Sequence, residues 1–252
     1  RVVIGGSAVP ERILRAFKEK YDVDVAHAWG MTEMSPLGTF NTSPLGCERM
    51  TNEEILTHQI PQGSAVAGVE LKIVDDKNQE LPWDGVAFGT LKVRGSWVCS
   101  GYFKLEGESA AHDDDGWFDT GDVCSIDPSG NMRITDRTKD VIKSGGEWIS
   151  SIELENTAVA HPKVAEAAVI GVDHPKWGER PLLVVVRKAG EDPSKEELLH
   201  WFDGRVARWW YPDDVVFINQ LPHTATGKLD KVQIRQQFDT YTFPNVEKVD
   251  QR

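Results

Sequence analysis

The chain changes character across the stretch Thr135-Asp-Arg-Thr-Lys-Asp-Val-Ile-Lys-Ser-Gly-Gly-Glu-Trp-Ile-Ser150. A buried strand would not carry this mixture, because each buried charge is costly unless it is paired. A solvated loop would not need the apolar pair Val141-Ile142 directly before the glycine pair Gly145-Gly146. The stretch therefore predicts a boundary, with charged ligand contacts on one side and a flexible glycine turn on the other.

Residues 1–62 predict the end of a layered α/β sheet. Val2–Ile4 is a short apolar strand, and the apolar residues of Ile13–Phe17 recur at helical spacing. Val23–Ala26 predicts a second, parallel strand, which completes a β-α-β unit. The polar stretch that follows contains one short predicted helix near Asn52–Gln59.

Residues 63–137 follow a different pattern, in which apolar and polar residues alternate. Val69–Val74 and Gly89–Arg94 both show the alternation, and turn residues such as Asp84-Gly85 separate the segments. This pattern is typical of antiparallel strands. We therefore predict a small antiparallel β-barrel subdomain over residues 63–137, which completes a large domain of residues 1–137; the alternative is a distorted antiparallel sheet.

Residues 138–252 mix helical and strand patterns, which predicts a small α+β domain of ordinary size. Its predicted elements are, in chain order, a helix over Ser151–Ala160, strands over Val164–Val172 and Leu182–Arg187, an amphipathic helix over Ser194–Trp210, a strand over Val215–Ile218 and a helix over Lys231–Phe238.

The composition of the 252 residues excludes several classes of protein. The formal net charge of −12 argues against a general nucleic-acid binder, because phosphate backbones attract basic surfaces. We find neither a secretory signal nor an apolar run near the ~20 residues that a membrane span requires. The three widely spaced cysteines form neither a disulfide framework nor a metal motif, which favours reduced thiols in the cytoplasm.

The segment Ala28-Trp-Gly-Met-Thr-Glu33 has the residue types of a phosphate and metal site. It follows a strand, where open α/β sheets place their ligands. Gly30 permits close approach of a ligand, Thr32 can bind a phosphate oxygen, and Glu33 can hold Mg²⁺, which prefers oxygen ligands shared with phosphates. Trp29 offers a flat face for a base. The alternative is a plain strand-end turn with a solvated glutamate.

A second candidate site is Asp122, in the segment Gly116-Trp-Phe-Asp-Thr-Gly-Asp122. A carboxylate can accept hydrogen bonds from two vicinal ribose hydroxyls, and Gly121 permits close approach. Arg137 supplies a fixed cation as its partner. The alternative is a salt bridge between Asp122 and Arg137 that closes the barrel, and both interpretations can hold at once.

Four segments of the chain together resemble the signature motifs of the adenylate-forming superfamily. They are Ala28–Glu33, Gly116–Asp122, Thr135–Ser150 and Leu221-Pro-His-Thr-Ala-Thr-Gly-Lys228. This superfamily includes acyl-CoA synthetases, peptide-synthetase adenylation domains and luciferases. The resemblance covers nearly the whole chain, with the four motifs in the family's order. The sequence around these motifs is most similar to those of bacterial medium-chain fatty-acyl-CoA ligases and methylmercaptopropionate-CoA ligases.

The resemblance implies a nucleotide site in the first domain. Trp29 would contact adenine, Thr32 the α-phosphate and Glu33 the metal. The other implied nucleotide contacts are Gly5, Gly6, Ser7, His27, Ala28, Gly30, Asp122 and Arg137. The turn at Gly5 is not a Walker loop, since no Gly-Lys-Ser/Thr follows it, and the alternative is a tight βα turn. His27 stands where most relatives carry Asn or Gln.

The resemblance also implies a CoA site and a hinge in the rest of the chain. Gly145, Gly146 and Glu147 would border the pantetheine arm, with Trp177 near it; the alternative is a hairpin turn and a surface tryptophan. Lys139 matches the family's hinge position, at which the small domain swings. An exposed linker lysine would look the same.

Lys228 is the implied catalytic lysine. A carboxylate attacks the α-phosphorus of ATP and expels pyrophosphate, so negative charge accumulates, and one lysine can neutralise it and orient the acid. The alternative is a solvent-facing lysine after a turn. The resemblance thus implies an acid–thiol ligase that uses ATP, Mg²⁺, CoA and a small carboxylic acid, first forming acyl-AMP and then acyl-CoA and AMP.

One departure from the family is the lack of a Ser/Thr/Gly-rich phosphate loop that ends in Pro-Lys. We therefore expect that an N-terminal portion of the parent ligase is absent, that this chain alone is inactive or nearly so, and that an apolar sheet face is left exposed, which favours association. The full-length protein could form a homodimer. Two alternatives stay open: a noncatalytic nucleotide- or CoA-binding module completed by another chain, and an adenylating enzyme with an acceptor other than CoA.

Overall fold

The computed structural model describes residues 1–6, 9, 11–41, 47–103, 112–225 and 227–244. Ser7, Thr226 and the tail beyond residue 244 lie outside the described residues. The chain divides into two compact units, Arg1–Thr138 (unit 1) and Lys139–Arg252 (unit 2). No helix in the described ranges is both long and apolar enough to cross a membrane.

The described part of unit 1 contains two sheets and two helices. Its elements are β1 (Val2–Gly5), α1 (Glu11–Tyr21), β2 (Val25–Gly30), β3 (Leu37–Phe40), α2 (Asn52–Gln59), β4 (Ser64–Ala65), β5 (Val69–Val74), β6 (Phe88–Gly95), β7 (Phe118–Ile126) and β8 (Met132–Arg137), with short 3₁₀ turns at Thr32–Met34 and Cys47–Arg49.

The first sheet has the strand order β1-β2-β3-β4. Strands β1 and β2 are parallel and α1 connects them, so the predicted β-α-β unit is confirmed. The helix buries Leu14 against Val25 of β2 and Leu56 of α2. Helix α2 begins at a capping box, in which Thr51 and Glu54 satisfy each other's backbone N–H groups.

The second sheet is an antiparallel meander in the order β5-β6-β7-β8. It is open in the residues that the structure describes, so the predicted barrel is not confirmed. One face of this sheet packs on Trp29 and Met34, which flank the turn after β2. Packing against the other sheet buries this face without closure into a barrel, and it brings β7 beside the end of β2.

Unit 2 is built around a five-stranded sheet. Its elements are β9 (Ile142–Ser144), β10 (Glu147–Ile149), α3 (Ser151–Val159), β11 (Val164–His174), β12 (Gly178–Arg187), α4 (Lys195–His200), β13 (Asp214–Phe217) and α5 (Lys231–Gln237), with a 3₁₀ turn at Arg208–Trp210. The order is β10-β9-β12-β11, and β13 pairs with β12 in parallel.

Both faces of the unit 2 sheet are buried. Val169 and Leu183 point to one face and pack with Leu154 of α3, whereas Ile170 and Leu182 point to the other face, where Ile234 of α5 lies. This explains the nearly continuous apolar runs of β11 and β12, because a strand covered on both sides has no solvent-facing positions to fill with polar residues.

The predicted helix over Ser194–Trp210 is too long. Helix α4 begins after the Ser194 cap, whose hydroxyl accepts from the N–H of Glu197, and it ends at His200. Gly204 has a φ of +69°, in the left-handed region that a regular helix cannot use. The chain therefore turns there, and a separate 3₁₀ turn follows at Arg208–Trp210.

Asp214 provides a test of pH-dependent stability in unit 2. Burial alone would raise the pKa of this carboxyl, but hydrogen bonds from Lys195, Tyr241 and the N–H of Val215 outweigh it and hold the pKa below its ordinary value. A carboxyl with a lowered folded-state pKa stabilises the protein above its unfolded-state pKa, and this contribution is lost as the pH falls through the folded value.

We expect Asp214→Asn to lower the free energy of unfolding by about 1.5–3 kcal/mol near neutral pH, the worth of hydrogen bonds to a charged group. The difference should begin to shrink as the pH falls below about 4, the ordinary pKa of the carboxyl, and should continue to shrink toward the lower folded-state pKa, at which the wild-type carboxyl becomes neutral. Urea unfolding of the chain across this range measures it. Asp192→Asn is the control, because Asp192 is 88% exposed. A difference that does not change with pH would contradict the assignment.

Candidate functional site

Three side chains of unit 1 form a connected group around the carboxylate of Asp122, here called the Asp122 cluster. The indole Nε1 of Trp29 donates to Oδ2 of Asp122 at 2.8 Å, and Nε of Arg137 lies 2.8 Å from Oδ1. Asp122 is 5% exposed, whereas the side chain of Arg137 is 51% exposed. The cluster therefore holds a buried carboxylate with a cation that reaches solvent.

Strand register explains why Asp122 and Arg137 meet. They are direct cross-strand partners of β7 and β8. The backbone before Asp122 is fixed as well: the Asp122 N–H donates to the hydroxyl of Thr120, which donates to the carbonyl of Leu91. Gly121 has a φ of +68°, which favours glycine. The ion pair that we predicted from the sequence as the alternative is present, although the sheet is open.

The turn after β2 places two oxygen-bearing side chains together. Thr32 is exposed and Glu33 is half-buried. An oxygen of Glu33 accepts a hydrogen bond from the hydroxyl of Tyr102 at 2.9 Å, and this bond, with burial, raises the pKa of Tyr102. The carbonyl of Glu33 accepts from the N–H of Cys99. Tyr102 was not predicted, because nothing near it in the sequence points to Glu33.

The oxygen donors at this turn fit a magnesium ion that is shared with a nucleotide. Mg²⁺ usually takes one or two protein carboxylates and completes its shell with phosphates and water. Glu33 can supply such a carboxylate, with the hydroxyl of Thr32 beside it. Within the described ranges no group of three or more His, Cys, Asp or Glu side chains could hold a metal by itself. This donor set suits a nucleotide-bound ion rather than an all-protein metal site.

The glycine turn after β1 lies beside the same edge. Gly5 is the register partner of Ala28 on β2, and a Cβ at Gly5 would lie 3.0 Å from the carbonyl oxygen of Ala28. Gly6 has a φ of +82°. The structure thus brings Gly5 and Ala28 together, next to Trp29. The third residue of the predicted turn, Ser7, is outside the described ranges.

His27 is buried and contacts protein groups. Its Nδ1 lies 3.1 Å from Nε2 of Gln62 and 3.3 Å from the carbonyl oxygen of Ile60. Gln62 in turn accepts from the N–H of Ile134 at 2.6 Å. His27 therefore connects β2, through Gln62, to β8. Gln62 is a further residue that the sequence did not point to.

The glycine pair in unit 2 forms the turn between β9 and β10. Gly145 and Gly146 have φ angles of +62° and +86°. The N–H of Gly145 donates to the carbonyl of Trp177 at 2.7 Å, and a Cβ at Gly145 would lie 2.9 Å from Cε3 of that indole. Trp177 is 44% exposed, and exposed Glu147 follows the turn. All four predicted CoA contacts are thus close together.

Arg180 binds the residue that precedes this glycine turn. Its guanidinium donates to the hydroxyl of Ser144 at 3.2 Å, immediately before the glycine pair. It also donates to Asp213 at 2.7 Å and to the carbonyl oxygens of Trp209 and Tyr211. Its side chain is 13% exposed. Arg180 therefore joins the turn to the segment before β13, a link between distant residues that the sequence did not reveal.

Lys228 ends a tight loop in unit 2. The N–H of Thr224 donates to the carbonyl of Lys228 at 2.8 Å, and the N–H of Lys228 donates back to the hydroxyl of Thr224 at 3.2 Å. Gly227 has a φ of +79°. Lys228 is exposed at the end of this loop. Lys139, the predicted hinge residue, is exposed and is the first residue of unit 2.

Two family models match the chain. The AMP-binding enzyme model matches residues 1–103, which contain the Trp29–Glu33 turn, and the AMP-binding enzyme C-terminal domain model matches residues 153–228, which end at Lys228.

Curated relatives and a solved structure agree with these matches. The chain is 57% identical over 238 residues to 3-methylmercaptopropionyl-CoA ligase of Ruegeria lacuscaerulensis, covering 94% of this chain and 44% of that protein. It is 48% identical to medium-chain-fatty-acid–CoA ligase of Ectopseudomonas oleovorans, covering 94% of the chain and 43% of the relative. ATP-bound MatB of Rhodopseudomonas palustris superposes with a TM-score of 0.80 at 31% identity, covering 95% and 46% of the two chains.

The chain thus spans less than half the length of the relatives that it matches. The two family matches and these similarities extend over both units, and they agree with the four motifs. The chain therefore belongs to the AMP-binding, or adenylate-forming, enzyme family.

Proposed function

We propose that the protein carrying this chain is an AMP-forming acyl-CoA ligase that acts in the cytoplasm. The observation that carries the proposal is the Asp122 cluster beside the Thr32–Glu33 turn. The carboxylate of Asp122, which Trp29 and Arg137 orient, suits ribose hydroxyls, and the oxygen donors of Thr32 and Glu33 in the same unit suit a nucleotide-bound cation. The two curated relatives described above are both named as CoA ligases, and these names supply the class of reaction.

In the first proposed step, residues of unit 1 hold ATP. Asp122 and Arg137 bind the ribose, Thr32 binds the α-phosphate, and Glu33 holds Mg²⁺, which would supply charge neutralisation at the phosphates. Gly5, Gly6 and Ala28 border the adenine with backbone atoms. A carboxylate oxygen of the acid forms a bond to the α-phosphorus, and the bond to pyrophosphate breaks. Lys228 neutralises the charge that accumulates in this step.

In the second proposed step, unit 2 moves as a mobile domain, with Lys139 as its hinge. The turn at Gly145 and Gly146, with Trp177, then borders the pantetheine arm of CoA. The thiol sulfur bonds to the acyl carbon, its proton is lost, and AMP leaves with the electron pair of the broken acyl–phosphate bond. For the acid we propose a medium-chain fatty acid or 3-methylmercaptopropionate, the acids that the names of the two relatives contain.

The test is an assay of AMP release by the protein at full length, with 3-methylmercaptopropionate and fatty acids of increasing chain length. We expect AMP release to require ATP and one of these acids, and to be accelerated by CoA. If acyl-AMP forms but CoA never accelerates turnover, the acceptor is a different group. If nucleotide binds but no acyl-AMP forms with any acid, the alternative of a noncatalytic binding module is correct.

A further inference from the structure

Trp29 is buried, which gives its indole N–H group a role of its own. Its side chain is 8% exposed and belongs to the core that β5–β8 form with the turn after β2. The ring packs directly on Gly38 of β3, where a Cβ would lie 2.4 Å from Cζ3 of the indole. The enclosed indole also presents its single polar atom to a definite partner.

That partner is the carboxylate of Asp122. An indole has a single N–H donor, and a buried donor requires an acceptor. The Nε1 of Trp29 donates to Oδ2 of Asp122 across 93 positions of sequence. Arg137 bonds the other oxygen, Oδ1. Because half of the Arg137 side chain is exposed, the enclosed indole is the more rigid of the two groups that orient the carboxylate.

We propose that Trp29 is a positioning residue, which fixes the plane of the Asp122 carboxylate and thereby sets the preference of the site for ribonucleotides over 2′-deoxyribonucleotides. This rests on the proposed function in one respect, that Asp122 binds the ribose. A carboxylate accepts from two vicinal hydroxyls only when its plane faces both of them, and such paired hydrogen bonds depend strongly on geometry. A sugar without the 2′-hydroxyl offers one donor and depends less on that orientation.

The experiment compares the dissociation constants of AMP and 2′-deoxyAMP by calorimetry, with the protein at full length. Trp29→Phe keeps an aromatic ring and removes the N–H. We expect it to weaken AMP binding about tenfold, as loss of one hydrogen bond would, and to weaken 2′-deoxyAMP binding much less. The ratio of the two constants should approach that of Asp122→Asn. Equal weakening of both nucleotides, or an unchanged ratio, overturns the proposal.

Trp97→Phe is the matched control. Trp97 packs against the same core, but its Nε1 donates to the carbonyl of Leu37 and not to Asp122. The same chemical change at this position should leave the ratio of the two dissociation constants as in the wild type. A change in the ratio equal to that of Trp29→Phe would mean that loss of core packing, not loss of the hydrogen bond, causes the effect, and it would overturn the proposal.

A second measurement uses the wild-type fold and so does not depend on the folding of a variant. The indole N–H resonance of Trp29 should exchange with solvent more slowly when AMP is bound, and less so with 2′-deoxyAMP. Equal responses to the two nucleotides would overturn the proposal. If the wild-type protein bound neither nucleotide, the proposed function of this site would fail instead, and the two failures are thus distinguishable.

Discussion

Replacing Lys228 with alanine should slow the adenylation half-reaction by about 10²–10³-fold, the usual effect of removing one group that stabilises charge in a transition state. The same variant should still form acyl-CoA from supplied acyl-AMP at a rate near that of the wild type, because in the proposed second step unit 2 has moved and Lys228 no longer contacts the reacting groups. Acid-dependent exchange of pyrophosphate into ATP measures the first half-reaction, and thioester release from acyl-AMP measures the second.

The loop around Lys228 makes this substitution easy to interpret. Lys228 is exposed, and the two hydrogen bonds that close the loop between Thr224 and Lys228 use the backbone of Lys228. Removing the side chain should therefore leave the loop intact. Lys77→Ala is the control, since Lys77 is an exposed lysine in a turn of unit 1 and should leave both half-reactions unchanged. An equal loss of both half-reactions in Lys228→Ala would contradict the two-step assignment.

Replacing Gly30 with alanine should strongly destabilise unit 1. A Cβ at this position would lie 1.8 Å from the carbonyl oxygen of Pro36, 2.8 Å from its carbonyl carbon and 3.0 Å from Cα of Leu37. All three atoms belong to the backbone, so no rotamer change relieves the overlap. The bond from the N–H of Met31 to the same carbonyl, at 2.8 Å, would also be lost.

We expect Gly30→Ala to destabilise the protein by about 3 kcal/mol or more, the upper end for an overpacked site. This corresponds to a fall of about 6–12 °C in the melting temperature of a domain of this size. Since Gly30 lies between Trp29 and Thr32, AMP affinity should fall as well. Gly171→Ala is the control, because the three atoms nearest to its new Cβ all belong to the flexible side chain of Glu179. A melting temperature equal to that of the wild type would disprove the predicted backbone clash.

Local signals in the sequence predicted several elements well. The predicted bounds of α2, Asn52–Gln59, agree with the structure because the capping box of Thr51 and Glu54 defines its start within four residues. The predicted helix after Ser194 was too long, because the chain leaves the helix after His200 and turns through Gly204, and an amphipathic pattern alone does not show such an end. The predicted barrel was not confirmed for a different reason: strand alternation predicts antiparallel pairing, but it contains no information on whether the first and last strands meet.

The candidate site shows the same limit. Asp122 and Arg137 were predicted as partners, and the register of a single hairpin is enough to join them. The burial of Trp29 could not be predicted, because it depends on Gly38 from the neighbouring strand. The contacts of Glu33 with Tyr102 and of Arg180 with Ser144 join residues 69 and 36 positions apart. Pairs so distant leave no local pattern in one sequence.

The backbone near residue 138 has one mechanical consequence. The N–H of Thr138 is tied to the carbonyl of Gly121, whereas Arg235 holds the carbonyl of Lys139 and the carboxylate of Asp140. The backbone on each side of the Thr138–Lys139 peptide bond is thus held within its own unit. If Lys139 acts as the proposed hinge, a change in its backbone torsion angles need not break these hydrogen bonds, and the proposed ribose contact of Asp122 would stay within unit 1. In the proposed reaction, acyl-AMP can therefore stay bound to unit 1 while Lys228 leaves the site and the thiol of CoA approaches.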